Sequence, residues 1–143
     1  MPHCPRARLW LVGDEGQELP DLGETIGIRA DGGARIGEVA PGTVLPARRT
    51  IWWIEEKAEC ANGDAFANAV EACLDRLLAR LECNDAGRRL RDHDLANFAK
   101  ISLGGTCSDI RDANIEYTRA RLQRLAALGL TLEEDFYQLI GDE

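Results

Sequence analysis

The chain has 143 residues, of which 45% are hydrophobic and 29% charged, and it carries a net charge of −8 from 25 acidic and 17 basic side chains. This length suits one domain whose core needs no staple. No apolar run approaches the roughly 20 residues that span a bilayer, and the acid excess argues against nucleic acid as the main partner. The N-terminal "LWLV" is too short for a signal-peptide core, so a cytoplasmic location is expected.

Residues 1–6 are expected to be a flexible tail, and 7–143 a single domain. "ARLWLVG", 7–13, predicts a strand that is apolar on both faces, Leu9 and Leu11 opposite Trp10 and Val12. Leu19, Leu22 and Ile26 predict a short helix near 20–26, with Gly27 as its left-handed end. Residues 29–47, with Gly32, Gly33, Gly37, Gly42, Pro41 and Pro46, predict a long loop, with room for one short strand at "ARIGEV". "TIWWIEEK", 50–57, predicts a second strand apolar on both faces. Ile51 and Trp53 share one side, and Trp52 and Ile54 share the other. One of Trp52 or Trp53 is expected to be markedly more exposed than its neighbour.

Residues 64–83 form the clearest element. Phe66, Val70, Cys73, Leu74, Leu77, Leu78 and Leu81 follow the helical interval, and Asn62 or Asp64 can cap the start. A shorter helix is expected over 85–95 and a strand over 98–105. A turn-rich stretch then leads to "NIEY", which could pair back as a hairpin. Thr118 caps a helix over 119–128 that Gly129 ends, with Leu122, Leu125, Ala126 and Leu128 as its apolar set. In the closing strand, Leu130, Leu132 and Phe136 share one face. The expected fold is α+β: a single sheet of about four or five strands, with helices mainly on one face and a split βαβ, ferredoxin-like tendency. The other face then needs a lid: the 85–95 segment, the long loop, a twin subunit or a partner.

Motifs for chemistry are weak. The five cysteines, Cys4, Cys60, Cys73, Cys83 and Cys107, include no CxxC pair, so no metal or cofactor is expected. His93 between Asp92 and Asp94 fits a general base, but a surface helix end gives the same letters. "SLGGTC", 102–107, lacks the Lys-Ser/Thr of a phosphate loop and is expected to be a tight turn. Glu133, Glu134 and Asp135 alternate on a strand and cannot converge on a cation.

From residue 7 onward the chain resembles the bacterial family known as domain of unknown function 4279. The likeness rests on "ARLWLVGD", the "IGI" at 26–28, the pair Gly37–Glu38, the tryptophan strand and the ending "YTRARLQRLAALGLTLEEDFY" at 117–137. Ala30 departs from it, standing where that family tends to carry proline. The resemblance supplies no catalytic residues. It implies proteins found near bacterial toxin systems, where small acidic domains serve as immunity proteins. The expectation is therefore a non-catalytic protein-binding domain whose partner is a protein, such as a basic toxin. Trp10, Trp52, Trp53, Glu55 and Glu56 are its candidate binding residues. The alternative is a small-molecule binder or enzyme of unknown substrate that uses the 29–47 loop and the tryptophan strand. A homodimer through the open sheet face is a further expectation.

Overall fold

A computed structural model of the chain describes residues 4–39, 42–60, 65–107 and 114–138. Five strands form one sheet: β1 (Cys4–Val12), β2 (Gly32–Ala34), β3 (Ile51–Lys57), β4 (Ala99–Cys107) and β5 (Thr131–Gln138). Their order across the sheet is β2-β3-β1-β4-β5. The helices are α1 (Leu22–Thr25), α2 (Phe66–Cys83), α3 (Ala86–Asp92) and α4 (Arg119–Leu128).

β1 is the central strand, antiparallel to β3 on one side and to β4 on the other. β2 is antiparallel to β3, so β1 and β2 run parallel with β3 between them. In the same way β3 and β4 run parallel with β1 between them, joined through α2. Two split βαβ units therefore interlock in the ferredoxin-like order, with α1 as a single turn in the first crossover. β5 adds a fifth strand parallel to β4, reached through α4. The expected "NIEY" hairpin does not form. β4 takes β5 as its outer neighbour, and residues 114–117 form no strand.

β1 alternates strictly. Ala7, Leu9 and Leu11 are fully buried, while Arg6, Arg8, Trp10 and Val12 are half-buried. Directly opposed residues share a face, so Leu9, Ile54 and Ile101 line up across three strands. α2 lays Phe66, Val70, Leu74, Leu77, Leu78 and Leu81 on that row, all of them fully buried. Leu22 and Ile26 around α1, Leu90 of α3 and Leu128 of α4 join the same core. The 85–95 segment is thus no lid for the other face: it packs α3 beside α2 and α4.

Several boundaries move. The first strand begins at Cys4, so residues 4–6 belong to β1 and not to a tail. The short strand of the long loop is Gly32–Ala34 instead of "ARIGEV". "SLGGTC" is strand, not turn. A Cβ on Gly104 would stand 1.9 Å from the Asp135 carbonyl oxygen, and one on Gly105 1.8 Å from that of Cys4. The two glycines therefore let the neighbouring backbones close in. The proposed caps Asn62 and Asp64 lie outside the described residues.

α4 behaves as expected at both ends. The Thr118 side chain accepts from the Arg121 amide, and Gly129 turns left-handed at φ 69°. Its inner face differs from the expected apolar set. Leu122 and Ala126 are exposed, and Arg121, Arg124, Leu125 and Leu128 face inward. Arg121 donates to Asp75 at 2.9 Å and to Glu71 at 3.0 Å, while Arg124 pairs with Glu82. α4 is thus fastened to α2 by ion pairs as well as by the burial of Leu128.

The Arg121 guanidinium holds the Asp75 carboxyl below its ordinary range by hydrogen bonding and by charge. A depressed folded value means that the contribution to stability is complete above the unfolded carboxylate value of about 3.9 and is lost as pH falls through the folded one. Urea denaturation of wild type and Arg121→Gln should therefore show a stability gap at neutral pH that narrows near pH 3. A gap of equal size at both values contradicts this coupling.

Candidate interaction face

The second parity of the strands forms the other side of the sheet. It carries Arg6, Arg8, Trp10 and Val12 from β1, and Ile51, Trp53, Glu55 and Lys57 from β3. Lys100 and Ser102 from β4 and Glu133 from β5 extend it. The buried apolar residues of all four helices enter the one core on the opposite side. No described α-helix packs on this face, which strand side chains dominate, with loop residues such as Asp14, Arg49 and Glu59 at its borders.

Its centre is an aromatic and cationic cluster. Trp10 and Trp53 are opposed in register, with ring centroids 5.4 Å apart and planes tilted by 51°. The Arg8 guanidinium lies 5.0 Å from the Trp10 ring and 5.5 Å from that of Trp53. Arg8 Nη2 also pairs with Glu55 Oε1 at 3.2 Å. Its Nε is buried without an acceptor among the described residues. The Glu55 amide donates to Asp31 Oδ2 at 2.7 Å, which ties the chain before β2 to β3.

The edge strand β2 explains why both adjacent tryptophans can lie flat. Gly32 opposes Trp53 and Gly33 opposes Trp52. A Cβ on Gly32 would stand 2.2 Å from the Trp53 ring, and one on Gly33 2.4 Å from that of Trp52. Each indole thus covers a bare glycine across the strand pair, a cross-strand contact that supports weak edge positions. Both tryptophans are half-buried, and Trp52 is the one packed against the core.

The five expected binding residues divide by parity. Trp10, Trp53 and Glu55 meet on the open face. Trp52 and Glu56 lie on the helix side, as strand alternation requires. Trp52 donates to the Leu19 carbonyl and has Arg35 over its ring. Glu56 accepts from Arg76 and Arg80 of α2. Arg6, Arg8 and Lys57 were missed. The signal was present in "RARLW", where Arg6, Arg8 and Trp10 share parity.

Groups suited to catalysis do not assemble among the described residues. His93 is exposed at the end of α3. Burial pushes the Cys73 thiol up. Burial, and then its hydrogen bond to Glu134, push the Tyr117 phenol up as well. Both shifts favour the neutral, unreactive form. Glu133 meets Lys100 on one side of the sheet while Glu134 meets Tyr117 on the other, as alternation requires. No set of three or more His, Cys, Asp or Glu gathers as metal ligands among the described residues.

No family model, no curated protein and no solved structure matches the chain. The open face therefore has to be judged by its own chemistry.

If Trp10 and Trp53 support each other as a pair, their substitutions will not add. A double-mutant cycle with Trp10→Ala and Trp53→Ala should give a coupling of about 0.5–1.5 kcal/mol in denaturation. Additive losses would mean that the rings pack independently.

Proposed function

We propose that this chain is a non-catalytic protein-binding domain that docks its partner on the open sheet face, with Trp10, Trp53 and Arg8 as anchors. The carrying observation is that cluster: two indoles and a guanidinium at the centre of a face that no described helix covers. Trp and Arg are the residue types most enriched among energetic hot spots. They are held by the central strands, so little ordering is left for the moment of binding.

The partner's chemistry follows from charge. The face sets Arg6, Arg8, Lys57 and Lys100 against Glu55, Glu133 and Asp135, in a chain that is otherwise strongly acidic. Two of its acids are already paired, Glu55 with Arg8 and Glu133 with Lys100. A complementary surface therefore has apolar pockets for the indoles and carboxylates near Arg6 and Lys57. This departs from the basic partner expected from net charge alone. In the immunity reading that the family resemblance implies, the domain neutralises a cognate toxin in the cytoplasm by occupying its surface.

The loop expected to close over a small molecule favours protein contact instead. Val39, Val44 and Leu45 are 56%, 91% and 71% exposed. They point apolar surface outward, and the backbone pairing of Gly37 and Glu38 with Ala47 closes the base beneath them.

Co-expression with the protein encoded beside this chain tests the proposal. A complex should form, and Trp10→Ala or Arg8→Ala should each cost about 2 kcal/mol, roughly a thirtyfold loss of affinity. Leu122→Ala on the exposed side of α4 should leave it unchanged. A missing complex, or one indifferent to the open-face substitutions, rejects the proposal. Self-association in sedimentation that Trp10→Ala abolishes would make a second copy the occupant.

A further inference from the structure

We propose that the end of the open face formed by Arg6, Lys57 and Arg8 is an oxyanion site, which takes a phosphate or carboxylate group. The register places Arg6 directly opposite Lys57 on the same face. Like charges so placed repel and weaken a strand pair. The next pair along, Arg8 and Glu55, is complementary and closes at 3.2 Å. The sheet thus cancels charge at one rung and leaves it uncancelled at the next.

Neither Arg6 nor Lys57 has a carboxylate partner among the described residues. Both line an open groove of about 680 Å³ together with Arg8. Two acids also border it. Glu55 is already engaged by Arg8. Glu59 lies beyond the end of β3 and forms no ion pair among the described residues. Arg8 lines the groove too, beside the pair it makes with Glu55. Two guanidinium groups and an ammonium make a matched donor set for an oxyanion. Arginine supplies directed, paired N–H groups and lysine a compact charge. The groove is a local exception in an acidic chain, and at physiological ionic strength charges more than about 8 Å away are largely screened.

A free oxyanion can occupy this site without any partner. A failed partner experiment therefore leaves the inference standing, and a failed anion experiment leaves the aromatic anchors standing. In a complex, a carboxylate of the partner would take the same place.

Thermal melting in sodium phosphate, sodium acetate and sodium chloride at matched ionic strength tests the site. Phosphate or acetate should raise the melting temperature above that in chloride, because ligand binding to the folded state stabilises it. Phosphate also stabilises folded chains by exclusion from their surface, so only the part of a rise that Lys57→Glu removes counts: such a rise in phosphate alone assigns a phosphate group, and in acetate alone a carboxylate. Arg6→Gln and Lys57→Gln should each weaken the apparent affinity at least tenfold. Lys57→Glu should abolish the effect and melt higher than wild type in chloride, because it completes a complementary rung with Arg6. Equal melting in all three salts overturns the proposal, as does an anion effect that survives Lys57→Glu. Amide shifts of the wild-type chain on phosphate titration give a second test that needs no variant. They should centre on Arg6–Arg8 and Lys57–Glu59, and their absence there also overturns it.

Discussion

The register of β1 is the constraint on which the rest depends. This strand is hydrogen-bonded on both sides and divides its residues without exception, Ala7, Leu9 and Leu11 to the core, Arg6, Arg8 and Trp10 away from it. A slip of one residue would bury two arginines under α2 and expose the leucines. The core therefore fixes the register, and the register fixes the open face. Arg8 meets Glu55 and Trp10 meets Trp53 because Leu9 must meet Ile54.

The two sides of the sheet use charge differently. On the helix side, Arg121 and Arg124 clamp α4 to Glu71, Asp75 and Glu82 of α2, and Glu56 joins β3 to Arg76 and Arg80. These contacts are part of how the helices hold their places, so their acids are not free for a partner. On the open side, charge is balanced at Arg8–Glu55 and Lys100–Glu133 and left unbalanced at Arg6–Lys57. The weakest piece of the sheet is β2, three residues with two glycines, and the two indoles of β3 shield it. The same tryptophans thus support the edge strand and, through Trp53, furnish the face.

The sequence made the periodic elements legible, because periodicity is a local signal. α2 and α4 stand where the leucine spacing, Thr118 and Gly129 put them, and the parity of residues 51–54 is as alternation requires. The sheet with helices on one face follows from the same patterns. What escaped was pairwise and non-local. The glycines at 104 and 105 suggest a turn until β5 and β1 are seen pressing against them. Leu122 suggests core until Arg121 and Arg124 are seen to form the inner face of α4. Trp52 and Glu56 suggested binding residues because their letters suit an interface, yet parity assigns them to the helix side. Arg6 and Lys57 carry no signal singly, and only the register makes them neighbours.

The central claim is that one parity of β1 and β3 faces solvent in the isolated chain. Hydroxyl-radical footprinting with residue-level readout measures this most directly. Trp10, Val12, Ile51 and Trp53 should be oxidised in the native protein, while Leu9, Leu11 and Ile54 stay protected until it unfolds. Equal protection of the two parities would mean that the face is covered, and would contradict both the docking surface and the oxyanion site built on it.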